Sequence, residues 1–191
     1  MDKKDIISFF DEFAHNWDNI NQQNSEVIEA ILDNAQIKEN TKVLDVACGT
    51  GVLFPYYLSR KADVVGIDFS EEMVKNAKLK FSEISVFCAD AETFSYDEKF
   101  DVIMIFNAFP HFPEPLKIIK NLSMLLNENG RISIAHGASR EEIQKCHQGS
   151  AKKISLDLPE IQEIKKMLEN YFEIDILISD DKMYQISGTK K

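Results

Sequence analysis

The stretch Leu44-Asp-Val-Ala-Cys-Gly-Thr-Gly-Val-Leu53 decides the fold that the sequence predicts. A short apolar run over 42–47 leads into it, and its loop has glycines at 49 and 51. This order is typical of a buried strand followed by a loop and then a helix. Glycines let the backbone of such a loop approach a ligand closely, because they carry no Cβ. Ala47 stands where nucleotide-binding loops commonly have a further glycine.

Strand and helix patterns alternate along the chain on both sides of this loop. Strands are predicted at 42–47, 63–67, 84–89, 100–106, 131–136, 172–178 and 182–188. Helices are predicted at 3–17, 24–36 (with Ser25 as N-cap), 51–60, after an N-cap at Ser70, from Pro113 and Pro115 to about 126, from a capping box at Ser139 to about 147, and at 159–170. The alternation predicts an open α/β sheet with right-handed crossovers.

Composition favours one globular domain over 1–191. The net charge of −10 argues against a nucleic-acid substrate, because an acidic chain repels phosphates. No apolar run is long enough for a membrane span, and the N-terminus does not resemble a signal peptide. Three widely spaced cysteines are expected to be free thiols, and the predicted location is the cytoplasm.

Polar side chains stand where four predicted strands end. In chain order they are Asp45, Asp68, the run Asp90-Ala91-Glu92, and Asn107. Because the carboxyl ends of parallel strands meet at the edge where open α/β sheets bind ligands, we expect these residues to share one site. Asp68 follows the loop by about 20 residues, the place of a carboxylate that binds a ribose diol. The sequence therefore predicts a ligand that contains adenosine.

The residues beside the glycines argue against a dinucleotide. A dinucleotide loop has a third glycine that admits the pyrophosphate at a helix N-terminus, whereas Leu53 and Phe54 stand here. Asp45 would repel a phosphate, and together with Asp68 and Asp90 it favours a cation. S-adenosylmethionine combines adenosine with a positive sulfonium and fits this pattern. A nicotinamide-dependent oxidoreductase is the less favoured alternative.

The run Val43-Leu-Asp-Val-Ala-Cys-Gly-Thr-Gly51 resembles class I S-adenosylmethionine-dependent methyltransferases, especially the ubiquinone/menaquinone C-methyltransferase-like branch. The resemblance covers about residues 40–136. It implies a Rossmann-like sheet of seven mostly parallel strands with helices on both faces. The last strand would be antiparallel, and 182–188 would supply it. The family resemblance also implies an N-terminal helical cap at 1–36 and a substrate-lid insert at 137–170. The chain contains no recognisable quinone-site segment.

The resemblance also implies cofactor-binding residues. The loop around the methionine end would comprise Asp45, Ala47, Cys48, Gly49 and Gly51, with Ala47 a variation that only trims space. Asp68 would bind the ribose hydroxyls. The adenine would lie between Phe69 and Met73, with its amino group on Asp90 and with Ala91 beside it, and the methionine moiety would contact Phe106 and Asn107.

Four histidines are candidates for the acceptor side of the site. His111 follows the fourth predicted strand and His136 ends the fifth, both at the cofactor edge. They are the candidate general bases, which would remove a proton from the methyl acceptor. The other candidate acceptor residues are His15, Trp17, Phe109, Phe112 and His147. Core packing and local hydrogen bonds are the competing interpretation of these residues. A metal site of His111, His136, His147 and Cys146 matches no standard zinc spacing, so no metal is predicted.

The expected activity is methyl transfer to a small molecule by in-line displacement, in which the enzyme aligns donor and acceptor and excludes water. A non-catalytic module or regulatory subunit that binds S-adenosylmethionine is the alternative from another functional class. Neither the acceptor nor the oligomeric state follows from the sequence.

Overall fold

The structure, a computed structural model, describes residues 2–146 and 152–191 and contains one seven-stranded sheet. The strands are β1 Lys42–Val46, β2 Asp63–Asp68, β3 Ser85–Cys88, β4 Phe100–Phe106, β5 Leu126–His136, β6 Phe172–Ser179 and β7 Tyr184–Lys190. The helices are α1 Lys3–Phe13, α2 Trp17–Ile20, α3 Ser25–Asn34, α4 Phe54–Ser59, α5 Glu71–Lys80, α6 Pro115–Leu125, α7 Arg140–Cys146 and α8 Ile161–Leu168. Short 3₁₀ turns cover Ala14–Asn16 and Phe109–His111.

The strand order is β3-β2-β1-β4-β5-β7-β6. The first five strands of the chain run parallel, and β7 pairs antiparallel with both β5 and β6. This confirms the predicted Rossmann-like sheet and its antiparallel last strand. The chain places β2 and β3 on one side of β1 and then crosses to place β4 on the other side, so the strand order reverses at β1. Open α/β sheets bind ligands at this point, and the glycine loop follows β1 directly.

The core lies on both faces of the sheet because the central strands are apolar in both directions. In β4 every residue of Phe100–Phe106 except Asp101 is buried, as expected of a central parallel strand. Helix α5 begins where predicted, because Ser70 Oγ accepts a hydrogen bond from the Met73 N–H at 3.1 Å. Helix α7 has the predicted capping box between Ser139 and Glu142.

Three local predictions were wrong. The N-cap of α3 is Asn24, whose side chain accepts from the Glu26 N–H, and Ser25 is the first helical residue. The helix predicted at 3–17 ends at Phe13 and gives way to a 3₁₀ turn, where Asn76 Nδ2 donates to Ala14 O at 2.9 Å. Strand β5 begins at Leu126, before the Asn-Gly pair, with a register shift against β4.

Helices α1 and α2 of the segment 3–36 lie against the carboxyl ends of the strands, whereas α3 packs on one face of the sheet in a core cluster with Val43 and Val64. Asp11 of α1 accepts a hydrogen bond from Ser70 Oγ at 2.6 Å, and Asp18 of α2 accepts one from Thr50 Oγ1. Helix α3 is held by Gln185 Nε2, which donates to Ile31 O at 3.0 Å. We call this segment the cap. No helix in the described parts of the chain has the length and apolar character needed to cross a bilayer.

Candidate active site

The glycine loop adopts a left-handed backbone at three alternate residues, since φ is +57° at Ala47, +55° at Gly49 and +86° at Gly51. A Cβ added at Gly51 would lie 2.6 Å from Phe54 Cδ2, so glycine is required there by contact as well as by conformation. Ala47 therefore does more than trim space. Its Cβ is held in a backbone conformation that costs an L-residue about 1–2 kcal/mol.

Asp68 connects the end of β2 to this loop. Its Oδ2 accepts from the Gly49 N–H and its Oδ1 accepts from the Ser70 N–H, both at 2.9 Å. Burial raises the pKa of Asp68 to about 6, although the two backbone hydrogen bonds oppose the shift. The carboxylate is thus fixed in position at the place predicted for the ribose.

Asp45 lies in β1, just before the glycine loop, and it is not among the residues that line the cleft at the end of the sheet. It is buried, and burial followed by the charge of Asp68 raises its pKa well above the usual value. The Cys48 thiol is also buried, and the same two causes, burial and neighbouring carboxylates, raise its pKa. The backbone of Cys48 therefore matters more to the loop than a thiolate would.

Asn107 organises the end of β4. Its φ is +53°, a conformation that asparagine tolerates better than most residues. Its Oδ1 accepts from the Gly137 N–H, and its Nδ2 donates to Gln23 Oε1, both at 3.0 Å. Gln23 belongs to the cap, so Asn107 joins the cap to the ends of β4 and β5.

These elements surround a cleft of about 840 Å³. Ligand pockets span roughly 300–1,000 Å³, so the cleft is large enough for a small molecule together with a cofactor. Of the predicted cofactor residues, it is lined by Ala47, Cys48, Gly49, Gly51, Asp68, Phe69, Met73, Phe106 and Asn107. Of the predicted acceptor-side residues, it is lined by Trp17, His111, Phe112 and His136.

Some lining residues were not among the sequence candidates. The cap contributes Phe9, Phe10 and Gln23, and α7 contributes Glu142 and Ile143. Their sequence signal was only that of an amphipathic helix, and it did not indicate which surface each helix would cover. The structure shows that the cap and the helix that follows β5 reach the same cleft.

A second and much smaller cavity lies beside the cleft, at the end of β3. It measures about 20 Å³, shares Ala47, Asp68 and Phe69 with the cleft, and is also lined by Asp90 and Ala91. Lys3 of α1 lies at this cavity, and its Nζ is 2.7 Å from Asp90 Oδ2 and 2.8 Å from Glu92 Oε1.

The two candidate bases differ in their surroundings. His111 Nδ1 lies 2.9 Å from the Ile154 carbonyl oxygen, and its ring meets the Phe10 ring edge to face at 5.0 Å. A carbonyl oxygen only accepts, so Nδ1 is the donor in this contact, and the Ser155 hydroxyl oxygen lies 3.2 Å from the same nitrogen. His136 is 2% exposed, and its ring lies 6.0 Å from that of Tyr184.

Three predicted acceptor residues lie elsewhere or are not described. His15 is exposed, with Nδ1 at 3.0 Å from Glu12 O, and it is not among the cleft residues. Phe109 is buried in the core, where it packs against Phe112. His147, and with it the four-residue metal alternative, lies outside the described residues. Within the ranges 2–146 and 152–191, no group of three or more potential ligands could hold a metal ion.

Comparison with known proteins assigns the family. A profile described as "Methyltransferase domain" matches residues 37–175. The chain belongs to this family. The predicted resemblance to class I S-adenosylmethionine-dependent methyltransferases is thereby confirmed, and S-adenosylmethionine is the cofactor at the level of the family.

Named relatives agree with this assignment. The chain is 31% identical over 148 residues to a ubiquinone biosynthesis O-methyltransferase from Coxiella burnetii, covering 69% of this chain and 61% of the relative. It is 29% identical over 137 residues to a demethylmenaquinone methyltransferase from Paenarthrobacter aurescens, covering 69% and 54%. The matched part thus spans less than two thirds of either relative.

The fold has a full-length structural counterpart. The magnesium protoporphyrin IX methyltransferase from Synechocystis, solved with bound S-adenosylhomocysteine, superposes with a TM-score of 0.74. The alignment covers 100% of both chains at 19% identity, which supports the fold alone.

The residues of this chain fit S-adenosylmethionine along most of its length. The left-handed loop around Gly49 and Gly51 admits close approach of a ligand, and the fixed Asp68 carboxylate suits a ribose diol. The small cavity at Asp90 is the exception, because it has room for about one water molecule rather than a purine.

Proposed function

We propose that this chain is a methyltransferase that transfers the methyl group of S-adenosylmethionine to a small, largely apolar acceptor. The supporting observation is that one cleft contains both the cofactor loop and an aromatic chamber with two imidazoles. The chamber is lined by Phe9, Phe10, Trp17, His111 and His136. An apolar acceptor with an ionisable hydroxyl, such as a phenol or a hydroquinone, matches this lining, and the quinone-pathway relatives agree with it.

The chain's residues would act mainly by positioning. When bound, S-adenosylmethionine supplies a methyl group that an acceptor atom takes by in-line displacement, leaving S-adenosylhomocysteine. The Asp68 carboxylate would hold the ribose, and the backbone at Gly49 and Gly51 would hold the methionine end. The aromatic chamber would exclude water and align the acceptor with the sulfonium.

His111 is the proposed general base. Its Nδ1 proton is directed to Ile154 O, so Nε2 would accept the acceptor's hydroxyl proton as the new bond to the methyl group forms. The proposed role of His136 is to shape the chamber, because its ring is buried beside Tyr184.

The segment 137–170 is the proposed acceptor lid. Its described part brings Glu142, Ile143 and Cys146 of α7, together with Ile154, to the cleft. The cap would close the opposite side. The whole of 1–191 would then form one catalytic domain with a cover on each side of the cleft.

A small acceptor agrees with the charge and chemistry of the chain. The net charge of −10 disfavours nucleic acid as the substrate. Cys48, Cys88 and Cys146 are free thiols, which suits a reducing compartment such as the cytoplasm, the proposed location.

The test combines binding with turnover. Calorimetry with S-adenosylhomocysteine should show a single site, and mass spectrometry should detect its formation from S-adenosylmethionine with phenols or hydroquinones of graded apolarity. His111→Gln should lower kcat by roughly 10²- to 10⁴-fold. His15→Gln is the matched control, because His15 lies outside the cleft, and it should leave kcat unchanged.

Each failure has a distinct meaning. Binding without turnover on any acceptor would favour the non-catalytic binding module. Absence of binding, together with binding of NADH, would favour the oxidoreductase. Equal activity of the two histidine variants would refute the role given to His111.

A further inference from the structure

The Asp90 side of the proposed adenine site is closed by the chain itself, whereas Phe69 and Met73 line the open cleft. The cavity between Asp90 and the residues at the end of β2 measures about 20 Å³, whereas the adjoining cleft measures about 840 Å³. A cavity of the smaller size holds about one water molecule, so a purine cannot enter it as it stands. Part of its lining has to move before an adenine can reach Asp90.

Lys3 is the lining residue best placed to move. It lies in the first turn of α1, near the start of the cap, and its side chain is 34% exposed. The other lining residues belong to β2, to the segments that follow β1, β2, β3 and β4, or, in the case of Ile118, to α6. Displacing Lys3 therefore disturbs only the end of a surface helix.

Lys3 also occupies the polar groups that an adenine would use. Its Nζ lies 2.7 Å from Asp90 Oδ2, while Asp90 Oδ1 accepts from the Glu92 N–H at 2.9 Å. Both carboxylate oxygens of Asp90 thus have a donor. A second contact, 2.8 Å to Glu92 Oε1, places the ammonium between two carboxylates. Although burial disfavours its charge, hydrogen bonds to Asp90 and Glu92 raise the pKa of Lys3.

We propose that Lys3 is a latch that closes the adenine end of the cofactor site, with its ammonium bound to Asp90 and Glu92 in place of the adenine amino group. This inference rests on the proposed role of Asp90 in cofactor binding. In the latched state α1 lies across the site, and cofactor binding requires Lys3 to leave Asp90 and the start of α1 to lift.

The latch lowers the affinity for the cofactor without touching its methionine end. A ligand that binds only the open state has an apparent Kd equal to its intrinsic Kd divided by the open fraction. Removing the ammonium increases the open fraction and tightens binding. Because the ion pair is partly exposed, the expected gain is about three- to fivefold.

The experiment compares Lys3→Ala with Lys4→Ala. Both substitutions remove one positive charge and one long side chain from the same helix turn, but Lys4 is exposed and does not line the cavity. Calorimetry with S-adenosylhomocysteine should give a Kd about three- to fivefold lower for Lys3→Ala than for wild type and for Lys4→Ala. Equal affinities for the three proteins, or weaker binding by Lys3→Ala, would overturn the latch.

A measurement without ligand separates this inference from the proposed function. Amide hydrogen exchange across 2–13 should be faster in ligand-free Lys3→Ala than in Lys4→Ala, because the latch holds α1 down. Unchanged exchange would refute the latch even if the cofactor binds. Faster exchange with no cofactor binding in any variant would uphold the contact and refute the cofactor assignment instead.

Discussion

The carboxylate of Asp68 and the backbone N–H of Gly49 are joined by a 2.9 Å hydrogen bond that connects the end of β2 with the loop after β1. Nineteen positions separate these residues in the chain, yet they form one structural unit at the point where the strand order reverses. The residue proposed to hold the ribose thus also fixes the loop proposed to hold the methionine end. Cofactor binding should therefore depend on the ionisation of Asp68.

The first prediction concerns pH. The pKa of Asp68 is raised to about 6, and the ionised form is the better acceptor for a ribose diol. The affinity for S-adenosylhomocysteine should therefore increase as the pH rises from 5 to 7, with a midpoint near 6. Asp68→Asn should bind more weakly and lose this dependence. Calorimetry at several pH values measures both effects.

Asp11→Asn provides an internal control for the pH effect. The charge of Asp11 contributes to raising the pKa of Asp68, so its removal should shift the midpoint to lower pH. A midpoint unmoved by Asp11→Asn would contradict this account.

The raised pKa of Asp68 also makes folding stability depend on pH, with the opposite sign. The pKa in the folded protein lies above the ordinary value of 3.8, so the stability that this group contributes is present below pH 3.8 and is lost as the pH rises through about 6.

The second prediction is that Ala47→Gly stabilises the fold. Glycine relieves the cost of φ +57°, although it increases the freedom of the unfolded chain, and the net gain should be about 0.5–1 kcal/mol. Urea denaturation measures the free energy of unfolding. Ala77→Gly is the control at an ordinary helical position, because Ala77 lies within α5, and it should destabilise by at least about 1 kcal/mol since a buried methyl group is also lost. A loss of stability in Ala47→Gly would refute the strain assigned to this position.

The third prediction is that Gly51→Ala impairs the loop. The new Cβ would meet the Phe54 ring at 2.6 Å while φ stays at +86°. A loss of roughly 1–3 kcal/mol in the free energy of unfolding is expected, together with weaker cofactor binding. Adding Phe54→Leu should recover part of the stability if the ring contact is a cause. The thermal midpoints of the single and double variants test this.

The fourth prediction uses the single tryptophan of the chain. Trp17 lines the cleft, and its Nε1 would lie 3.7 Å from a Cβ at Gly49. Binding of S-adenosylhomocysteine at the loop should therefore change the intrinsic tryptophan fluorescence in a saturable way. A titration should give the same Kd as calorimetry. Trp17→Phe should lose the signal while retaining calorimetric binding, and a Kd that differs between the two methods would contradict the placement.

The sequence predicted those helix and strand bounds that are set by residues close to one another in the chain. The limits of β4 follow from a run at 100–106 that is apolar except at Asp101, and the start of α5 follows from the hydroxyl of Ser70. Asn24 and Ser25 can both cap a helix, so the sequence did not decide between them. The break after Phe13 has a tertiary contact at its next residue, Ala14, and such contacts leave no local pattern.

In the candidate site, too, the residues placed by the sheet could be predicted from the sequence, whereas the contacts between distant segments could not. Asp68 and Asn107 could be predicted because each stands at a strand end, and parallel strands gather their ends at one edge. The pairing of Lys3 with Asp90 spans 87 positions, and that of Gln23 with Asn107 spans 84. Such contacts depend on how a helix from outside the βα units packs on the finished sheet. Composition and spacing therefore did not reveal them.

The family match begins at residue 37, just after the cap that supplies Phe9, Phe10 and Trp17 to the cleft. The segment proposed to bind most of the cofactor and the segment proposed to cover the acceptor are thus consecutive along the chain. Exchanging the first 36 residues for those of another methyltransferase would replace one wall of the chamber and leave the sequence of the loop after β1 unchanged, although the contact between Asp18 and Thr50 would be replaced with it. Such an exchange offers a route by which new acceptor preferences can arise in evolution or be engineered.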